Sequence, residues 1–143
     1  MHVSDVVIPA RFSCTIAQLV FVLALLQDRK PYLLQSLPKN YTQDQYDTFD
    51  SEFTGALGFA TACGILETLS VVMVGSTLLL NKACFVQFCF HFCGAIATFA
   101  FGMANSHFDY FWEILVLFTL LPALLEVASL FYLHITQVHG PYF

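Results

Sequence analysis

Three ionisable side chains, Glu67, His91 and Glu126, each sit inside a long apolar run. Two carboxylates and an imidazole at related depths could pass protons or hold an ion, which is the chemistry of a small proton-coupled transporter or channel. The same groups could instead act as polar glue, each interhelical hydrogen bond contributing about 0.6 to 2 kcal/mol. An ionised carboxylate at mid-membrane costs about 3 kcal/mol even on insertion scales. These groups are therefore expected to be neutral, hydrogen-bonded or paired with His91. The neighbours of Glu67 favour glue. Ala56, Ala60, Cys63, Gly64 and Ser70 share its helical stripe, while Phe59, Leu66, Leu69 and Met73 form the opposite one, so one side suits close helix contact and the other suits lipid.

The other apolar runs repeat this two-sidedness. Gln87, His91, Gly94, Ala95, Thr98 and Gly102 share a face, with Phe85, Phe92, Ile96 and Phe99 on the lipid side. Gln18 lines up with Arg11, Cys14, Thr15 and Val22, and Thr119 with Pro122, Glu126 and Ser129. Gln18, Glu67, Gln87, His91, Thr119 and Glu126 are thus the candidate buried packing residues. Arg11 is expected to snorkel to the head groups. Pro122 removes a backbone bond to Phe118 and is expected to bend the last helix.

Other chemistry is thinly represented. Cys89 and Cys93 are one helical turn apart, but His91 lies two residues from each and points elsewhere, so small packing residues are a better reading than metal ligands. All five cysteines fall in or beside apolar runs, which argues against a disulfide scaffold. Cys14 and Cys84 lie near membrane boundaries, the setting in which cysteines are palmitoylated. The chain contains no Gly-rich phosphate loop, nucleophile elbow or HExxH motif. No catalytic residue, metal or cofactor is expected. Asn40, Tyr41 and Thr42 form an N-x-T sequon, the acceptor for N-glycosylation if its loop faces outward.

These residues need membrane-spanning elements to position them. The 143-residue chain is 58% hydrophobic and 16% aromatic with only 10% charged residues, far from the soluble range. The expected fold is an all-α integral membrane four-helix bundle, one transmembrane domain over 1–143 with spans at about 6–26, 53–80, 83–103 and 110–134 and an external loop 27–52. The first span lacks a small-x-small site after it and reads as uncleaved. The loop carries Asp44, Asp47, Asp50 and Glu52. Thr42 and Gln45 have capping-box spacing, predicting a short interfacial helix to Phe53 with Tyr46 and Phe49 toward the membrane. Asn81 and Lys82 are read as a tight turn that makes the second and third spans a directly packed hairpin. Residues 104–109 form another turn, and Phe108, Tyr110, Phe111 and Trp112 mark a membrane edge. A net charge of −5 offers no basic patch for nucleic acid. Lys and Arg are too evenly divided to set orientation. A claudin-like adhesion role is disfavoured by a short loop without cysteines.

Taken in order, Pro9-Ala10-Arg11-Phe12, Leu37-Pro38, Tyr46-Asp47, Glu67, and Leu121-Pro122-Ala123 with Glu126 resemble the transmembrane protein 107 family, small four-span proteins of the ciliary transition zone. The likeness is collinear over nearly the full length. The C-terminus departs from it, since Gln137, Val138, His139 and Gly140 include no lysine where vertebrate members carry a short basic tail. The resemblance implies a non-enzymatic membrane member of the Meckel syndrome complex. Such a protein recruits other membrane and membrane-associated complex members, tectonic-like proteins among them, and has cytoplasmic termini.

Overall fold

The computed structural model describes residues 3–73, 81–104 and 106–139, and every regular element among them is helical. Four helical stretches are long and apolar enough to cross a membrane: Val6–Gln27, Gln43–Val72, Lys82–Ala104 and Asp109–Thr136. The protein is an all-α integral membrane four-helix bundle. In chain order the elements are α1 (Val3–Gln27), α2 (Lys30–Ser36), α3 (Gln43–Met73), α4 (Asn81–Ala104), α5 (Asp109–Leu115), a π turn (Val116–Leu120) and α6 (Leu121–His139). The last three run on as one fourth span.

Several boundaries differ from the sequence expectation. α1 begins at Val3, ahead of the expected start near residue 6, and carries Pro9 inside it. The capping box forms: the Thr42 N–H donates to Gln45 Oε1 at 3.0 Å, and the Gln45 N–H donates to Thr42 Oγ1 at 3.4 Å. The helix it starts does not end at Phe53. With no helix-breaking residue at that junction, α3 continues for 31 residues, about 46 Å. That exceeds a hydrocarbon core of about 30 Å, so the acid-rich first turns stand outside the membrane. Tyr46 and Phe49 pack on the protein core. Asn81 and Lys82 are the first residues of α4, not a turn. The second-to-third connection at 74–80 lies outside the described residues.

The hairpin expected from the second and third spans is replaced by a diagonal arrangement. α1 packs against both α3 and α4, and the fourth span packs against the same two helices. α3 therefore faces α4 across the bundle, and α1 faces the fourth span. The close approaches are made at glycines. A Cβ at Gly64 would lie 3.0 Å from Leu19 Cδ1, and one at Gly94 would lie 2.8 Å from both Gln18 Nε2 and Phe118 Cβ. The bulky stripes face outward: Phe59, Leu66 and Leu69 on α3, and Phe85, Phe92, Ile96 and Phe99 on α4, are all exposed. The Met73 side chain lies outside the described residues.

At the loop end the core is aromatic. Phe53 is fully buried and meets Phe111 edge-on at 5.5 Å, with Phe101 and Phe108 beside it. Within a bilayer this packing stabilises mainly through dispersion contacts. α2, which sequence periodicity does not announce, closes this end. Leu33 is buried, Tyr32 O–H donates to the Gly102 carbonyl at 3.2 Å, and Ser36 Oγ accepts the Phe108 N–H at 2.8 Å. Arg29 donates to both Asp50 oxygens at 2.5 and 3.3 Å. That hydrogen bond pushes the guanidinium pKa above its ordinary value, and the clasp between loop and α3 stays charged.

Candidate functional site: a polar seam through four helices

The seam begins with a missing proton on the backbone. Pro122 has no N–H, so the Phe118 carbonyl one turn earlier loses its usual α-helical donor. The structure does not answer with a simple bend. The helix loosens into the π turn just before Pro122, where the Leu121 N–H reaches back to the Val116 carbonyl. Gln18 on α1 supplies the Phe118 carbonyl with a donor, its Nε2 at 2.8 Å, and also lies 3.4 Å from Thr119 Oγ1. Gln87 on α4 does the same for the Pro122 carbonyl at 2.9 Å. Two glutamines thereby tie two other helices to the proline segment.

The orientation of Gln18 propagates. Its amide nitrogen must face the carbonyl, so its Oε1 faces His91 Nδ1, 2.9 Å away. An amide oxygen only accepts, and Nδ1 must therefore carry the proton. Nε2 of the same ring is 2.7 Å from Glu67 Oε2 on α3. The two groups thus meet as a close polar contact in the interior, where Glu67 and His91 are almost fully buried.

The second acid is paired elsewhere. Glu126 Oε2 accepts from Arg11 Nη2 at 2.9 Å, with side-chain exposures of 0% and 1%. Arg11 does not snorkel to the head groups. Because α1 starts at Val3, Arg11 lies more than two turns inside the helix, on the face that carries Thr15 and Gln18. The sequence places Arg11 on that polar face but carries no local sign of a buried partner on the fourth span. Nor does Glu126 pair with His91, the partner nearest to hand in a reading from depth alone. A buried charge costs several kcal/mol unless it is paired, and this ion pair offsets that cost for both.

All six candidate packing residues, Gln18, Glu67, Gln87, His91, Thr119 and Glu126, are buried in this seam. The space beside Glu67, His91, Gln18 and Thr119 measures about 10 Å³, roughly room for one water. Cys89 and Cys93 are exposed on the outer side of α4, while His91 points inward, and among the described residues no three His, Cys, Asp or Glu side chains converge to hold a metal. Asn40 is exposed in the short non-helical stretch between α2 and α3, at the end of the bundle opposite Val3 and His139.

Comparison with known proteins agrees with this architecture. Two curated relatives are named Transmembrane protein 107. One, from Danio rerio, is 26% identical over 120 residues, covering 84% of this chain and 88% of the relative. The other, from Homo sapiens, is 26% identical over 121 residues, covering 85% and 86%. No solved structure matches. The TMEM107 family model, described as a transmembrane protein, matches residues 7–130, a range that holds every seam residue from Arg11 to Glu126. The chain belongs to the TMEM107 family of transmembrane proteins.

Proposed function

We propose that this protein is a non-enzymatic scaffold of the ciliary transition zone membrane. In this role it acts within the Meckel syndrome complex to support cilium assembly and to keep the ciliary membrane distinct. It does so by recruiting other membrane and membrane-associated members of that complex, of the tectonic-like kind. Both termini face the cytoplasm and the loop 27–52 faces the opposite side. Family membership supports the setting. The observation that carries the mechanism is the interior seam: polar groups from all four spans meet inside the bundle, which leaves outward faces of Phe, Leu and Ile to meet lipid and partner helices. With so little aqueous surface, partners are most readily recruited through those lateral faces and the loop. The test is to express the tagged full chain in ciliated cells, image it at the ciliary base, and recover its neighbours by proximity labelling. Transition-zone neighbours are expected; a diffuse plasma-membrane signal without them would contradict the proposal.

The Glu67–His91 contact favours a second reading, a small proton-coupled transporter or channel using Glu67, His91 and Glu126. Room for about one water beside that contact and the commitment of Glu126 to Arg11 weigh against it. Purified protein in liposomes is expected to show no pH-driven flux.

A further inference from the structure

We infer that Asn40 is an N-glycosylation site, occupied by a single oligosaccharide on the face of the membrane opposite both termini. Asn40-Tyr41-Thr42 is the only N-x-S/T triplet in the chain, since Asn81 and Asn105 are followed by Lys82-Ala83 and Ser106-His107. The fold presents it well. The Asn40 side chain is exposed in the brief non-helical stretch between α2 and α3. Just after it, Gln43–Glu52 forms the first ten residues of α3, about 15 Å of helix. This segment carries Asp44, Asp47, Asp50 and Glu52, and carboxylates at such spacing are excluded from hydrocarbon. The segment therefore rises from the membrane and lifts the acceptor clear of the surface. Leu33, buried on α2, and the Arg29–Asp50 clasp anchor both ends of the loop, so its tip is held outward.

Tyr41 and Tyr46 stand beside the acceptor with ring centroids 6.2 Å apart, and Tyr41 is 41% exposed. They give the first sugar an aromatic surface to lie on. Thr42 serves the helix cap through an oxygen lone pair and its backbone N–H, while the same hydroxyl completes the sequon. In the transfer step the Asn40 amide nitrogen bonds to the anomeric carbon of an oligosaccharide carried on a lipid diphosphate. The carbon–oxygen bond to the diphosphate breaks, the diphosphate leaves with the electron pair, and the amide proton is lost to the enzyme's base.

This inference rests on the orientation proposed above, and the experiment separates the two. The full chain, carrying a second sequon in a C-terminal tag, is expressed in cells with an endoplasmic reticulum and treated with an N-glycan endoglycosidase. A single downward step in apparent mass is expected, lost in Asn40→Gln and in Tyr41→Pro, which keeps Asn40 and Thr42 but forms a triplet that is not used. Thr42→Ser should retain the step because serine serves both sequon and cap. No step at Asn40 and none at the tag overturns the inference while leaving the orientation standing. Modification at the tag with none at Asn40 overturns both.

Discussion

At the residue scale, the seam is a set of mutual obligations, and its members differ in what can replace them. Arg11 and Glu126 are a buried pair, so removing either charge takes a salt-bridge partner from the other and is expected to cost about 3–5 kcal/mol. Removing both is expected to be far milder. Unfolding of Arg11→Met, Glu126→Leu and the double variant in mild detergent should show two large losses and a double variant closer to wild type than either single one. Glu67 behaves differently because its partner is an imidazole whose Nδ1 proton is fixed by Gln18. In Glu67→Gln, an amide N–H can donate to Nε2, and stability should change by no more than about 1 kcal/mol. Glu67→Leu leaves that nitrogen buried without a donor and should cost about 1–3 kcal/mol. Two of these obligations are readable from residue types alone: a carboxylate in a stripe of small residues, and a proline that releases a carbonyl. Which acid pairs with which base is not, because Arg11 and Glu126 are 115 residues apart and nothing local connects them.

At the element scale, close helix approach is bought with glycine at selected positions only. Gly94 admits Gln18 and Phe118 so tightly that a Cβ would meet both at 2.8 Å, whereas a Cβ at Gly58 would meet nothing within 4 Å. Gly94→Ala is expected to destabilise the bundle by about 1–3 kcal/mol through overpacking. Gly58→Ala should be neutral or stabilising by up to about 1 kcal/mol, as thermal unfolding of the two variants would show. The four spans themselves are legible because twenty-residue apolar runs have few other fates. Helix continuity is less so. The capping box at Thr42 marks where α3 begins, but only tertiary contacts of Phe49 and Phe53 show that the interfacial segment and the span are one rod. The same holds for α2, seven residues long and too short for periodicity to reveal. The bend expected at Pro122 becomes a π turn because Gln18 satisfies the freed carbonyl from outside the helix.

At the scale of the whole molecule, the diagonal arrangement decides what the protein can do. Were α3 and α4 a simple hairpin, the small stripe of α3 would be used on α4. Instead α1 lies between them on one side and the fourth span on the other, so both diagonals cross at the seam. Each helix thereby turns a bulky face to the membrane, and the bundle offers partners a lipid-like perimeter around a fixed polar centre. A conduit would need a hydrated path through that centre, and the space beside Glu67 has room for about one water.

The claim that the seam holds the scaffold together, and does not itself carry protons or ions, is tested most directly by Glu67→Gln in ciliated cells. Its enrichment at the ciliary base and its recovered neighbours would be compared with wild type at equal protein level. The account predicts that both are unchanged, because an amide of the same shape keeps a polar partner against His91 without a titratable carboxylate. Loss of enrichment and neighbours from a variant that remains folded would contradict it.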